Sequence, residues 1–336
     1  MSVDIEDLNL IANELAMDFL FFKNKKIFLT GGTGFFGKWL LETFLYLNDY
    51  HNLNISVRIL SRSPDKFKRL HSHISGHENF AFIKGDIKNF QDSTESYDLI
   101  IHAATDASSG RNESENEKMR STIIDGTRRI CEFASQVNCQ RILYTSSGAA
   151  YGPQPENMSH IPETFVDNPR FIDKDVYASA KLESEKYLKA NSPCEVVIAR
   201  CFAFSGPYLP LEGSYAFGNF IDDVLNGNDI SIKGDGTAVR SYLYAADLVV
   251  WLLRILSSGK AFEIYNVGSS EQVSIGELAM LIDAVAGGKS LVETPSLVKQ
   301  TVHQYVPDIR KAQNELGLCV YTSLSSSINK TLRFYK

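Results

Sequence analysis

Residues 26–47, KIFLTGGTGFFGKWLLETFLYL, constrain the fold more than any other stretch. A short apolar run ends in glycines, and the residues after it carry apolar side chains at helical spacing. A strand that turns tightly into a helix satisfies both halves. Glycines at such a corner let the backbone approach a ligand closely, and the helix N-terminus behind them attracts anions. Gly31, Gly34 and Gly37 give GxxGxxG, while Gly32, Gly34 and Gly37 give GxGxxG. In a strand–turn–helix context that spacing fits the pyrophosphate of a dinucleotide. The alternative is a tight corner that binds nothing.

The same alternation continues downstream. ISVRILS (55–61), FAFIKGD (80–86), YDLIIHAA (97–104), RILYTSS (141–147) and EVVIARC (195–201) have strand character, with helical spacing around 117–136 and 176–190. Strands alternating with helices predict an α/β fold, a Rossmann-type doubly wound parallel sheet covered on both faces. From Phe204 onward Gly, Pro, Ser and Tyr become frequent and elements shorten, which predicts a smaller C-terminal substrate-binding lobe. The expected organisation is a helical extension over 1–24, a dinucleotide-binding domain over 25–203 and the lobe over 204–336, with part of 240–262 packing back on the sheet. In the extension, Leu8, Ile11, Ala12, Leu15, Ala16 and Phe19 recur at helical spacing, an apolar stripe for the main body or a partner subunit. Near the end, PDIRKAQNELG predicts a helix between Asp308 and Gly317.

Charge and composition exclude several classes. The net charge is −6 and no block of five basic residues occurs, so a nucleic-acid partner is not expected. Cysteines 131, 139, 194, 201 and 319 are scattered without a CxxC pair, which argues against a disulfide framework or zinc site and for a reducing compartment. The most apolar run, DLVVWLLRIL, is interrupted by Arg254 and falls short of the roughly 20 residues a membrane helix needs. The acidic N-terminus MSVDIEDLNL does not read as a signal peptide. A cytoplasmic protein without a membrane partner is expected. His71, His73 and His77 fall in a polar loop that lacks acids or cysteines at ligand spacing, so no metal is assigned.

The second strand ends in LSRSP, with Ser61 and Arg62 where a carboxylate would bind the adenosine ribose 2′-hydroxyl. An arginine there can accept a 2′-phosphate, which favours NADP over NAD. The alternative is a solvated surface arginine.

TGGTGFFG (30–37), HAAT (102–105), TSSGAAYG (145–152) and Tyr177-Ala-Ser-Ala-Lys181 stand in the order and context of the extended short-chain dehydrogenases/reductases, which this chain resembles. IARCFAFSGPY (198–208) and GDGTAVRSYLYAADL (234–248) are similar to that family's nucleotide-sugar epimerase/dehydratase branch. The resemblance covers the chain from Lys25 to its end, with the N-terminal helix as an addition. It implies that Gly31, Gly34, Phe35, Phe36, Gly37, Ser61, Arg62, Asp86, Ile87, His102, Ala103, Ala104, Tyr177 and Lys181 line the cofactor. It also implies that Ser147, Tyr177, Asn219 and Arg240 meet a nucleotide-diphosphate sugar, and that the protein forms a homodimer through two helices per subunit.

The YxxxK spacing puts Tyr177 and Lys181 on one helix face. A phenol with its ordinary pKa near 10 is a poor base at neutral pH, and a nearby cation favours the phenolate. Tyr177 could then take a proton from a sugar hydroxyl, or return one to a ketone. The resemblance adds a second task for Lys181, holding the nicotinamide ribose. Ser147 aligns with the family's catalytic Ser/Thr and would orient the reacting oxygen, with Ser146 as a neighbouring candidate. The alternative for Tyr177 and Lys181 is an ordinary surface pair.

Relatives that dehydrate or decarboxylate usually carry an acid two residues after that Ser/Thr, where this chain has Ala149. The expectation is therefore a 4-epimerase or 4-keto-sugar reductase. A 4,6-dehydratase with its acid from another segment and a non-catalytic NAD(P)-sensing protein are the alternatives. Arg240 matches the family's phosphate-binding arginine, with a salt bridge to Asp247 as its other reading. Arg200 is expected to order a strand end, His102 to order backbone, and Asp86 either to approach adenine or to cap a turn. Ala203 and Asp125 replace two asparagines common in the family, the second change being expected to rearrange a buried hydrogen bond.

Overall fold

The computed structural model describes residues 2–92, 96–104, 112–166, 175–213, 215–293 and 303–336. The chain divides into two compact units. One comprises Met1–Gly152, Asp167–Cys201 and Val249–Tyr265, and the other Pro153–Val166, Phe202–Leu248 and Asn266–Lys336.

In the first unit the expected alternation builds a parallel sheet. Its strands are β1 (Lys26–Thr30), β2 (Ser56–Ser61), β3 (Phe80–Lys84), β4 (Leu99–His102), β5 (Arg141–Ser147) and β6 (Glu195–Cys201). A seventh, β7 (Ile264–Val267), crosses the boundary between the units and was not foreseen from its short sequence. Among the described residues the order is β7-β6-β5-β4-β1-β2-β3. The chain leaves β3 at one edge and returns on the other side of β1, so the winding reverses between β1 and β4. Open sheets bind ligands beyond the carboxyl ends of the strands at such a reversal. Ile27, Phe28, Leu29, Ile100 and Ile101 are fully buried, because helices cover both faces of a parallel sheet.

Helix α1 spans Ile5–Glu14, α2 Phe35–His51, α3 Glu113–Gln136, α4 Val176–Asn191 and α5 Ala245–Ser258. Helix α4 starts where Asp175 accepts the Ala178 N–H at 3.0 Å. Its small residues let it lie close to α3, with Ala180 packed among Met119, Ile123 and Ile124. Tyr177, Lys181, Glu185 and Leu188 then recur along one face, as helical spacing requires.

The N-terminal stripe is shorter than its periodicity predicts. Leu8, Ile11, Ala12 and Leu15 are buried, but the helix stops at Glu14 and Ala16 is exposed. Asp18 then accepts from Arg254 Nε at 2.7 Å and from Ser257 Oγ at 2.6 Å. The charge that interrupts DLVVWLLRIL is thus the docking point of the N-terminal segment on α5. Among the described residues no helix is long and apolar enough to cross a membrane.

The second unit is built from very short strands. Val239–Arg240 lies between Val273–Ser274 and Gln304–Tyr305, and Phe204–Ser205 pairs with Leu243–Tyr244. Helices Ala216–Leu225, Ile275–Ala286 and Leu324–Tyr335 pack together. Side chains bonding to backbone supply order that two-residue strands cannot. Asp247, fully buried, accepts from Tyr321 N–H, Thr322 N–H and Thr322 Oγ at 2.7–3.0 Å. Asn266 donates to the carbonyls of Ile161 and Asp308 at 2.9 and 3.0 Å.

Candidate active site

The glycine turn joins β1 to α2 at the winding reversal. Gly31 has φ +73°, and a Cβ there would sit 2.5 Å from the carbonyl carbon of Ala103. A Cβ on Gly37 would lie 2.2 Å from the Gly32 Cα. The first and last glycines of GxxGxxG are therefore required by backbone packing. Gly34 caps α2 without any side-chain hydrogen bond to the first turn. A helix start capped by a residue with no side chain fits a phosphate group. These residues fit a dinucleotide on geometry alone.

The turn is tied to β4 through His102. In register, Thr30, His102 and Tyr144 form one row across β1, β4 and β5. Thr127 Oγ donates to the Ile123 carbonyl at 2.7 Å, so it must accept from His102 Nε2, 3.2 Å away. His102 Nδ1 then accepts from Thr30 Oγ at 2.9 Å, and Thr30 Oγ accepts the Ala104 N–H at 3.0 Å. This chain fixes the neutral tautomer. Burial, aided by the charge of Lys181, pushes the His102 pKa down to about 3. His102 holds backbone and has no proton to exchange near neutrality.

At the ends of β2 and β3 the candidates separate. Ser61 is buried and its hydroxyl accepts the Ser63 N–H at 3.2 Å, while Arg62 is exposed. Asp86 caps a turn by accepting the Lys88 N–H at 3.0 Å. Ile87 belongs to the core, its side chain 3.0 Å from where a Cβ on Gly126 would stand. Thr105, the last residue of HAAT, lies outside the described residues.

Beyond β5 the arrangement is tight. Ser147 is 7% exposed, and its hydroxyl accepts the Ala149 N–H at 3.2 Å at the start of the short Gly148–Tyr151 helix. Lys181, 2% exposed, donates to the Thr145 carbonyl at 2.8 Å. Its ammonium is 5.0 Å from the Tyr144 ring centroid and 5.8 Å from that of Tyr177. Burial lowers the Lys181 pKa to about 8, against the opposing pull of Cys201 and Glu185. Tyr177 is half-buried and packs on the α3 cluster. The YxxxK pair is therefore an interior feature and not a solvated surface pair.

Sequence reasoning missed Glu185. It accepts from Arg200 Nε at 2.9 Å and from Arg200 Nη2 at 2.6 Å, and also from the Ser146 hydroxyl. Its spacing of four from Lys181 was the available signal. Arg200 orders the strand end, as expected. Asp125, in contrast, is not the buried hydrogen-bond partner that the resemblance implied. Its side chain is 48% exposed, accepts from Ser121 at 2.7 Å and lies 3.5 Å from Arg128. Facing outward on α3, it has no interior bond to rearrange.

In the second unit, Arg240 donates to the carbonyls of Val239 and His303 at 2.8 and 3.1 Å, with Tyr305 5.9 Å from its guanidinium. Asn219 donates to the Gly213 carbonyl at 3.1 Å, and the Ala203 carbonyl accepts the Leu243 N–H at 3.0 Å. The stretch expected as a polar loop includes a short helix, Ser72–Ser75. Its three histidines have local contacts: His73 meets Glu42 at 2.9 Å, His77 meets Asp49 at 3.3 Å, and the His71 ring centroid lies 4.7 Å from that of Phe67. Among the described residues no group of His, Cys, Asp or Glu could hold a metal ion. All five cysteines are free thiols.

The chain is similar in sequence and fold to known proteins. The chain is 27% identical over 315 residues to UDP-glucuronic acid decarboxylase 1 of Xenopus tropicalis, covering 93% of this chain and 72% of that protein. A UDP-N-acetylglucosamine 4-epimerase from Methanobrevibacter ruminantium shares the fold with a TM-score of 0.79 at 22% identity, over 93% of this chain and 98% of the other. A dTDP-glucose 4,6-dehydratase from Streptomyces venezuelae, solved with NAD bound, gives 0.77 at 22%, over 92% and 96%. Residues 27–268, from the first strand through the last strand of the sheet, match the NAD dependent epimerase/dehydratase family, and to that family this chain belongs.

Proposed function

We propose that the protein transfers hydride at C4 of a nucleotide sugar, as a 4-epimerase or a 4-keto-sugar reductase. The observation that carries this reading is the buried Lys181 ammonium beside Tyr177, with Ala149 where a second proton-transfer acid would stand. One phenol and no further acid suffice for either reaction.

In this mechanism Tyr177 takes the proton of the C4 hydroxyl during oxidation and returns it during reduction. Lys181 stabilises the phenolate through its charge. Ser147 donates a hydrogen bond to the reacting oxygen and fixes its direction. Gly31, Gly34 and Gly37 would hold the dinucleotide, which would supply the hydride acceptor and donor. Arg240 is assigned to the diphosphate of the donor and Asn219 to the substrate, a task that a planar, permanently charged guanidinium suits. With Ser61 and Arg62 at the end of β2 and no carboxylate there, the site is proposed to take NADP more tightly than NAD. Arg62→Ala should remove that difference in measured Kd. The active form is proposed to be a homodimer in a reducing compartment, which light scattering of the purified protein checks.

A second reading is decarboxylation, favoured by the similarity to UDP-glucuronic acid decarboxylase 1. A panel of UDP-, dTDP-, GDP- and CDP-hexoses, their uronic acids and their 4-keto-6-deoxy forms separates the outcomes by mass. An isobaric product supports epimerisation, and gain of two hydrogens supports reduction. Loss of carbon dioxide or of water would overturn the primary reading. Tyr177→Phe should lower kcat about 10²–10⁴-fold while cofactor Kd stays unchanged. Full activity in that variant would remove Tyr177 from the chemistry.

A further inference from the structure

We infer that Glu185 and Arg200 are positioning residues, which lock the Ser147 loop to the helix bearing Tyr177 and Lys181 and set the electrostatic balance around Lys181. The inference rests on the function proposed above and adds two residues to it.

The geometry makes Arg200 a hub. It stands opposite Ser146 in the β5–β6 register, one residue before Ser147. Its Nε and Nη2 both donate to Glu185, one helical turn beyond Lys181. The guanidinium also stacks 4.1 Å from the centroid of the Tyr151 ring. Ser146 and Tyr151 bracket the loop Ser147-Gly148-Ala149-Ala150, so that loop is anchored on both sides. On one side the Ser146 hydroxyl donates to Glu185, and on the other the Tyr151 ring lies under Arg200. The two groups that would act at C4, Ser147 and Tyr177, are therefore referenced to the same buried pair. Ser146, Glu185 and Arg200 are at most 6% exposed, so water competes little for these bonds.

The pair is also electrically lopsided when broken. A buried bidentate pair is nearly neutral to its surroundings, but removing the carboxylate leaves a buried guanidinium that cannot deprotonate. Lys181 would then face an unbalanced positive charge as well as its own desolvation. His102, Cys201 and Tyr144, which also face Lys181, do not titrate between neutrality and pH 9. His102 on β4 is lowered to about 3 by burial, and Cys201 on β6 is raised to about 12 by burial. Tyr144 on β5 is raised by burial. Thr145 on β5 offers only its carbonyl, and Tyr177 on α4 itself is the partner whose proton Lys181 controls. Arg200, Ser146 and Tyr151 complete the surroundings of Glu185.

The test uses the full chain with NAD or NADP and whichever nucleotide sugar the panel turns over. Wild type, Tyr177→Phe, Glu185→Gln and Ser146→Ala are compared for kcat, KM, cofactor Kd, melting temperature and the pH profile of kcat. Glu185→Gln should lower kcat about 10–100-fold with KM and cofactor Kd within about threefold. The alkaline limb of its profile should move about one pH unit lower. A merely structural role would lower melting temperature without moving that limb. Ser146→Ala keeps the ion pair and cuts one anchor, so kcat should fall by at least about threefold with the limb unmoved. Should Glu185→Gln fail to fold, an unchanged kcat in Ser146→Ala overturns the inference. A folded Glu185→Gln with wild-type kcat, or with a lowered kcat but an unmoved limb, overturns it alone while the inactive Tyr177→Phe leaves the proposed function standing. No turnover by wild type on any panel member removes the proposed function and this inference together.

Discussion

Lys181 and Arg240 are both partly or wholly buried cations, yet the molecule treats them differently. Lys181 is enclosed by long strands and a helix, donates to the Thr145 carbonyl, and has its pKa lowered to about 8 by burial. Arg240 sits on a two-residue strand in the second unit, half-buried, bonded to the carbonyls of Val239 and His303. An ammonium can be tuned by desolvation, whereas a guanidinium keeps its charge in any environment. The first arrangement suits proton chemistry, which needs an adjustable charge in a fixed place. The second suits recognition of a permanent anion, where geometry can vary with the substrate.

The comparison breaks most visibly at the glycine turn. Gly37→Ala would drive a Cβ within 2.2 Å of the Gly32 Cα, so the first unit must distort. Loss of about 1–3 kcal/mol in chemical denaturation and loss of cofactor binding by calorimetry are expected. Unchanged binding and midpoint would mean the region is less rigid than argued.

Arg240→Met tests the other side. If Arg240 holds the diphosphate, KM should rise about 10–100-fold, as expected for losing a charged hydrogen-bond pair. The melting temperature should move little, because no buried partner is left without its charge. A large stability loss instead would make Arg240 a structural element and not a phosphate ligand.

A pH series sharpens the first region further. The folded state holds His102 neutral down to about pH 3, while the unfolded chain takes up a proton near the ordinary value of 6.5. Between those values the unfolded state binds more protons, so stability falls as pH falls through this window. The contribution of His102 is roughly 1.4 kcal/mol per pH unit. His102→Asn should flatten the acid side of the stability profile by about that slope in urea titrations, whatever its effect at neutral pH. The smallest effect belongs to Asp125→Asn. With its carboxylate facing outward, stability should change by less than about 0.5 kcal/mol.

Much of the first unit was legible because its signals are local. Apolar runs of strand length and glycines at fixed offsets are read off neighbouring residues, and the Tyr177–Lys181 spacing is one helical turn. The strand β7 was not legible, since four residues, IYNV, become a strand only by pairing with β6. Asp125 misled for a related reason. The resemblance named the position, but which face of α3 turns outward depends on how α3 packs against α4.

By itself, then, the sequence determined the alternating α/β plan, the glycine corner and the helix face that carries Tyr177 and Lys181. Those follow from backbone sterics and helical periodicity over a few residues. Only the tertiary structure decided that Lys181 is desolvated, that His102 is kept neutral by burial with its tautomer fixed by two threonines, and that Glu185 and Arg200 meet behind Ser146. Desolvation and charge pairing depend on what surrounds a group in space. Thr30, His102 and Thr127, or Ser146, Glu185 and Arg200, become neighbours only when the sheet and its helices close.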